Sequence, residues 1–540
     1  MGLWDTPVIA VLTLAASTSA PATPPEEARR WWTHVEALAA DDMRGREAGT
    51  PEHRKAAEYV AAQFRAAGLQ PAGTDGFFQS VAFKTRRYVE AGSRLELVRG
   101  ETRAPVALGP EAVFSMRIDP PPQVEVPLVF VGYGLTIPET KLDDLAGIDL
   151  RGKAAVYFNG GPENTPGPLL AHYQSRRERW EALKRAGAIG AVAIRNPRGD
   201  DLPWERSALM RFNPALELTD PDLVDAPGQQ LSVVFNTDPA ARLFEGTGRD
   251  FKELLAMAVA GQPLPRFDLS VALRAKVAFE TDTRASDNVV GVLPGADPAL
   301  SKEYVVLSAH LDHLGVGEPI GGDAIYNGAM DNASGIATLI ETARALASAK
   351  PRPRRSIVFL AVTAEEKGLL GSRQYAAHPT VTKDAIVADV NVDMFSPLFP
   401  LKSVIANGAD ESDLGDDLRR VAEAMKVEVA PDPEPERNGF VRSDQYSFIR
   451  RGIPALTLRV GYHKGSPEQE IVGRWMKERY HAPSDDVTQP VDLQSVADFN
   501  RLYTAVVVEI ANRAERPQWK AESFFRRFAR PDTAEPTTKR

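Results

Sequence analysis

The chain has 540 residues, 25% of them charged and 43% hydrophobic, a globular balance that excludes wholesale disorder and a polytopic membrane protein. Its 64 basic and 73 acidic residues leave a net charge of -9, which offers no electrostatic footprint for nucleic acid or an anionic membrane. Cysteine is absent, so disulfides, thiolate catalysis and Cys-based zinc sites are excluded, and any metal must take nitrogen and oxygen ligands.

In chain order, the apolar run 8–16 followed by the small residues 17–20 has the pattern of an export signal that lacks the usual basic start, which predicts a periplasmic or secreted protein. No segment approaches the roughly 20 apolar residues of a membrane span, so stable membrane insertion is not expected. Residues 31–39 and 56–67 carry apolar positions at helical spacing, separated by the glycine-punctuated loop 43–50. From about 87 to 275 the texture changes to short apolar runs (128–131, 154–158, 191–194, 231–235 and 269–273) broken by Pro and Gly, which predicts a β-rich module interrupted by one helix near 176–186. After 286, strands alternate with helices: 289–292, 304–308, a helix over 334–349, then 356–363 and 386–392. This is the α/β pattern of a mostly parallel, mixed central sheet flanked by helices. A chain of this length is expected to divide. The boundaries predicted are a signal and linker at 1–25, a first part of the main body at 26–115, an inserted β-rich domain at 116–280, the main α/β body at 281–515 and a weakly ordered tail at 516–540. The Arg-rich 351–355 reads as a solvated connector between helix and strand.

In open α/β sheets ligands collect where strands end, because the loops there converge. Strand 304–309 delivers His310 and Asp312, and the loop before the next helix delivers Asp331. Strand 356–363 runs into Glu365 and Glu366, strand 386–392 ends at Asp393, and a turn rich in Pro, Ser and Asp supplies His481. Each alone has a plain explanation. Glu365 and Glu366 suit the positive end of a helix, and Asp331 with Asn332 suits a helix cap. Together, two histidines, three ligand-capable carboxylates and one spare glutamate match a two-metal hydrolase site whose ions share a carboxylate. A sulfur-free set of imidazole and carboxylate suits Zn2+, with Mn2+ or Co2+ also compatible.

In combination and in this order, His310-Leu-Asp312, Asp331-Asn-Ala-Ser-Gly335, Ala364-Glu365-Glu366-Lys-Gly-Leu-Leu-Gly371, Asn391-Val-Asp393-Met394 and Tyr480-His481-Ala-Pro-Ser-Asp485 resemble the co-catalytic di-zinc aminopeptidases of bacteria. Relatives of that family include glutamate carboxypeptidases and the transferrin receptor ectodomain. The resemblance implies a di-zinc exopeptidase fold with a protease-associated domain inserted at 116–280. It implies two Zn2+ ions, one held by His310 and Asp393 and the other by Glu366 and His481, with Asp331 bridging and the Asp331–Asn332 peptide cis. Glu365 would be the general base, and Asp312 would steer His310 by accepting its remaining ring N–H. His313 is left outside the ligand set, as a pocket-lining or packing residue. Gln445 stands where the family often has a histidine, which leaves a substrate contact there open. The implied substrates are peptides with a free N-terminus, since the arginines that hold a terminal carboxylate in carboxypeptidase relatives cannot be located in the sequence. A carboxypeptidase or other amide hydrolase, a single-metal glutaminyl cyclase and a non-catalytic binding ectodomain are the alternatives.

Overall fold

Four apolar strands lie side by side and parallel: Ser356–Val362, Tyr304–His310, Ile386–Asn391 and Ala455–Val460. All seven residues of Ser356–Val362 are buried, as a strand covered on both faces requires. Successive side chains point to opposite faces. Leu307, Ala309, Ile357 and Phe359 enter the larger core, together with the helices Glu26–Leu38, Pro51–Ala66, Ser334–Ser348 and Leu493–Asn512, while Val306, Val358, Leu360 and Val362 enter a second core on the other face. Further strands extend the sheet on both sides, giving the order Ala215–Leu218, Phe78–Tyr88, Phe279–Leu293, the first three parallel strands, Ala455–Val460, Ser403–Asn407, Glu428–Ala430, in which the added strands pair antiparallel except Glu428–Ala430, which runs parallel to Ser403–Asn407. The computed structural model describes residues 24–199, 202–437 and 439–529. The export-like segment therefore lies outside the described residues. Among the described residues no helix is long and apolar enough to cross a membrane.

A second, eight-stranded mixed sheet is built from residues between Arg94 and Lys276. Its parallel core joins Gln123–Phe130, Ala154–Phe158, Gly190–Ile194 and Leu231–Phe235. The long paired strands Phe78–Tyr88 and Phe279–Leu293 belong to the main sheet and carry the chain out to this second sheet and back. The second sheet starts earlier than position 116, because Arg94–Arg99, Thr102–Val106 and Ala112–Phe114 pair into it. Conversely Ala215–Leu218, from within 116–280, edges the main sheet. The helix expected near 176–186 is Arg176–Arg185, but Gly167–Gln174 and Phe251–Val259 are helical as well.

Two further expectations are corrected. Residues 516–529 are not a loose tail: Trp519 and Phe525 are buried against Phe440 and Ile449, and Trp519 Nε1 donates to the Gly452 carbonyl at 3.1 Å. Arg355 is not solvated, since its Nε donates to Glu303 Oε2 at 2.8 Å and its Nη1 to the Arg513 carbonyl at 2.5 Å. Composition reads both stretches as polar, whereas long-range apolar contact and a buried ion pair decide their burial.

The glycine-punctuated loop contributes the main clamp of the site. Arg46, wholly buried, donates from Nε to the Leu311 carbonyl at 2.9 Å, from Nη1 to the carbonyls of Leu38 and Asn327 at 2.6 Å each, and from Nη2 to the Gly328 carbonyl at 3.0 Å. One side chain thus ties the loop after Tyr304–His310 to the loop that carries Asp331. Replacing it strands several buried carbonyls, each costing about 1–3 kcal/mol. Arg46→Met is expected to lower the thermal midpoint by roughly 5 °C or more; calorimetry showing an unchanged midpoint would remove Arg46 from this role.

Candidate metal centre and active site

Every side chain proposed from the sequence lies at the carboxyl ends of the parallel strands or in a loop beside them. His310 closes Tyr304–His310, Glu365 and Glu366 follow Ser356–Val362, and Asp393 follows Ile386–Asn391. Asp331 precedes the buried helix Ser334–Ser348, and His481 follows Pro467–Glu478. The two oxygens of Asp331 face different histidines. Oδ1 lies 3.1 Å from His310 Nε2, and Oδ2 lies 3.2 Å from His481 Nε2. His310 Nε2 is also 3.3 Å from Asp393 Oδ1, and His481 Nε2 is 3.2 Å from Glu366 Oε2.

These spacings suit shared cations. Nitrogen and oxygen atoms each about 2.0–2.2 Å from one tetrahedral zinc stand roughly 3.3 Å apart. His310, Asp331 and Asp393 also form a compact group of donor atoms, as do His313, Asp331 and Glu366. The buried His313 Nε2 has no hydrogen-bond partner, and Glu366 Oε1 meets His313 Nδ1 at 2.7 Å without hydrogen-bond geometry, so the donor set is not fully satisfied within the chain. The donor set therefore fits divalent zinc.

Electrostatics points the same way. Burial alone would lower His310, yet Asp393 and Asp331 outweigh it and hold the imidazole well above its ordinary value. Burial also opposes the charge on His481, but Glu366 and Asp331 push it up to about 10. Asp331 stays well below the usual carboxylate range despite burial, because His310, His313 and His481 favour its ionised form. Glu365 behaves oppositely: burial, reinforced by Glu366 and Asp393 against His310, pushes it well above the ordinary value. Burial and the surrounding charges thus drive Asp331 and Glu365 in opposite directions.

Asp312 does not steer His310 in the way expected. His310 Nδ1 lies 3.0 Å from the Asp312 backbone carbonyl, while the Asp312 carboxylate accepts the Glu365 N–H at 3.0 Å and the Glu366 N–H at 3.4 Å. Asp312 thus meets the His310 ring through its carbonyl and holds the glutamate loop through its carboxylate. His313 is closer to the centre than expected, with Nδ1 2.7 Å from Glu366 Oε1 and 3.9 Å from Asp331 Oδ2. Asn332 does the capping work that Asp331 might have done: its Oδ1 accepts the Gly335 N–H at 2.9 Å. A Cβ at Gly335 would collide with that amide oxygen, so the glycine lets the helix start against the Asp331 loop. The Asp331–Asn332 peptide is cis. Gln445 is fully engaged away from the cavities, accepting from Asn391 Nδ2 at 2.9 Å and donating to the carbonyls of Gly439 and Phe440 at 3.2 and 3.1 Å.

Sequence reasoning quoted Asp485 without giving it a task. The structure does: buried Asp485 accepts the N–H groups of Met330 and Asp331 at 2.9 and 3.0 Å and Gln489 Nε2 at 2.8 Å. Its spacing of four residues from His481 was the available signal. Arg206, on the helix Trp204–Leu209, is the other residue missed; it donates to the Tyr480 and Lys477 carbonyls at 2.7 Å each and braces the His481 turn.

Residues 288–507 match the family model described as Peptidase family M28. Over 253 residues the chain is 29% identical to a probable leucine aminopeptidase 2 of Aspergillus oryzae, covering 44% of this chain and 46% of that protein. Over 246 residues it is 28% identical to aminopeptidase YwaD of Bacillus subtilis, covering 45% and 48%. The chain spans about half the length of these curated relatives. An aminopeptidase from Aneurinibacillus sp. strain AM-1 shares the fold, with a TM-score of 0.52 at 20% identity over 89% of this chain and 93% of that one.

Because Asp485 fixes the backbone beneath Asp331, Asp485→Asn is expected to weaken zinc binding about 10–100-fold. Calorimetric titration checks this, and unchanged affinity in a folded variant contradicts it.

Proposed function

We propose that the protein, whose residues 288–507 match the model of peptidase family M28, is a zinc-dependent exopeptidase removing N-terminal residues from peptides. The observation that carries the proposal is the Asp331 carboxylate standing between two histidines, one oxygen toward each. In this reading His310 and Asp393 would hold one zinc, Glu366 and His481 would hold the other, and Asp331 would serve both. When bound, the pair of ions supplies Lewis acidity that polarises a peptide carbonyl and makes a water acidic near neutral pH.

The remaining chemistry belongs to the chain. Glu365 follows directly from the strand that supplies Glu366 and lines both cavities that open on the site. Its high proton affinity suits a group that takes a proton from the attacking water and gives it to the departing amine. The Asp312 carboxylate keeps Glu365 from drifting by holding its backbone N–H. Lys367 binds Glu47 Oε1 at 2.8 Å and ties the same loop to the N-terminal part of the body. The smaller cavity, about 150 Å3, is walled by Met394, Leu458, Val472 and Met476 beside Asp331 and Asp393. Its apolar wall suits an uncharged N-terminal side chain, and its carboxylates suit a free ammonium.

Glu365→Gln is expected to keep both zinc ions, measured by elemental analysis, and to lower kcat on leucine anilide about 10²–10⁴-fold. Turnover close to that of the native enzyme would remove Glu365 from the mechanism. Chelation should abolish the hydrolysis and added Zn2+ should restore it. Activity that survives metal removal would contradict the metal dependence.

A further inference from the structure

The larger cavity meeting at Glu365 holds about 630 Å3, and its wall is rich in arginine. Several of these arginines are already paired: Arg373 with Asp225 at 2.7 Å, Arg450 with Glu178 at 2.5 Å and Arg177 with Glu181 at 3.1 Å. Arg117 and Arg176 are not. Arg117 donates to the Lys367 carbonyl, while Arg176 donates to Ser115 Oγ at 3.2 Å and to the Arg117 carbonyl at 3.1 Å. Arg176 Nε is buried without a partner, and neither guanidinium forms an ion pair among the described residues. Burial, together with Arg176, holds Arg117 down to about 10; Asp225, the carboxylate that most favours its charge, is committed to Arg373. Two part-buried cations beside one another, without a counter-ion of their own, are costly unless an anion joins them.

The local sequence is fitted to this arrangement. Gly368 has φ +112°, and a Cβ there would collide with Arg117 Nη2, so the glycine two residues after Glu366 admits the guanidinium to the edge of the base loop. Both arginines come from outside the α/β body, Arg117 just before the strand Gln123–Phe130 and Arg176 at the start of Arg176–Arg185. The two cavities also differ in charge. The smaller presents Asp331 and Asp393, its Arg437 and Arg459 are paired with Glu434 and Asp432 at 3.5 and 3.0 Å, and its remaining arginine, Arg442, lines both cavities. A peptide cut beside Glu365 with its ammonium in the acidic cavity extends its departing part toward the arginines.

We propose that Arg117 and Arg176 bind a substrate carboxylate on the leaving-group side, so that the preferred substrates are short peptides carrying a carboxylate one residue beyond the cut. Planar guanidinium groups match that anion. The inference rests on the peptidase reading above. The carboxylate has two sources, the C-terminus of a dipeptide or an Asp or Glu side chain following the scissile bond.

The test uses the zinc-loaded full chain with Leu-Gly, Leu-Gly amide, Leu-Asp amide and N-acetyl-Leu-Gly. The expected result is a kcat/KM at least about tenfold higher than for Leu-Gly amide, carried mainly by KM, for Leu-Gly if the terminus is read or for Leu-Asp amide if the side chain is read. Arg117→Met should shrink that ratio toward one through KM, and Arg117→Lys should keep part of it. Equal kcat/KM for Leu-Gly and both amides in the native enzyme overturns the inference and leaves the aminopeptidase reading intact. So does a ratio that survives both Arg117→Met and Arg176→Met. Cleavage confined to N-acetyl-Leu-Gly refutes the free-amine reading while supporting the carboxylate site, and failure to cleave any of the four refutes both.

Discussion

Asp331, Glu366 and Asp393 converge with Glu365 beside the ends of the parallel strands, Asp331 buried and the others half-buried. Carboxylates at that spacing cannot all stay ionised unless positive charge sits among them. The chain supplies part of that charge through His310 and His481, whose proton affinities are raised by these same groups. Zinc held by these residues would meet the demand more fully. The preference for metal is thus a property of the carboxylate cluster as a whole.

Such a cluster stays in place only if the backbone beneath it is fixed, and buried polar side chains provide the fixing. Arg46 gathers carbonyls from three segments, Asp485 takes the N–H groups of Met330 and Asp331, and Asp312 takes those of Glu365 and Glu366. Each engages main chain rather than a reacting atom. The β-rich module contributes as well: Arg206 braces the His481 turn, and Arg117 reaches the loop that carries Glu365 and Glu366. The β-rich module is therefore part of the site's wall as well as a neighbour of it.

The α/β character of residues after 286 was legible because fully apolar strands and long apolar helices leave a strong periodic signal, and the chemical residues fall at strand ends where that fold gathers ligands. The second sheet was legible in kind, but its edges were not. Arg94–Arg99 and Ala215–Leu218 are short, and their sheet is decided by partners far along the chain. Sequence reading identified His310, Asp331, Glu365, Glu366, Asp393 and His481 as candidates, and these lie together in the fold. It did not find the task of Asp485 or Arg206, and it assigned Asp312 the wrong partner, since whether a carboxylate meets a ring or a backbone N–H depends on a single turn of chain. The arginines of the larger cavity were invisible for a similar reason. Arg117 and Arg176 stand far from the motifs in sequence, and only the packing of the second sheet on the first brings them to Glu365.

The central claim is that one carboxylate, Asp331, holds two cations between two histidines. Crystals of the zinc-loaded protein, measured on either side of the zinc absorption edge, test it most directly. The account predicts two anomalous peaks roughly 3.5–4 Å apart, one on each side of Asp331 and within bonding distance of His310 and His481 respectively. A single peak, or a pair that leaves Asp331 out of contact with either ion, would contradict it.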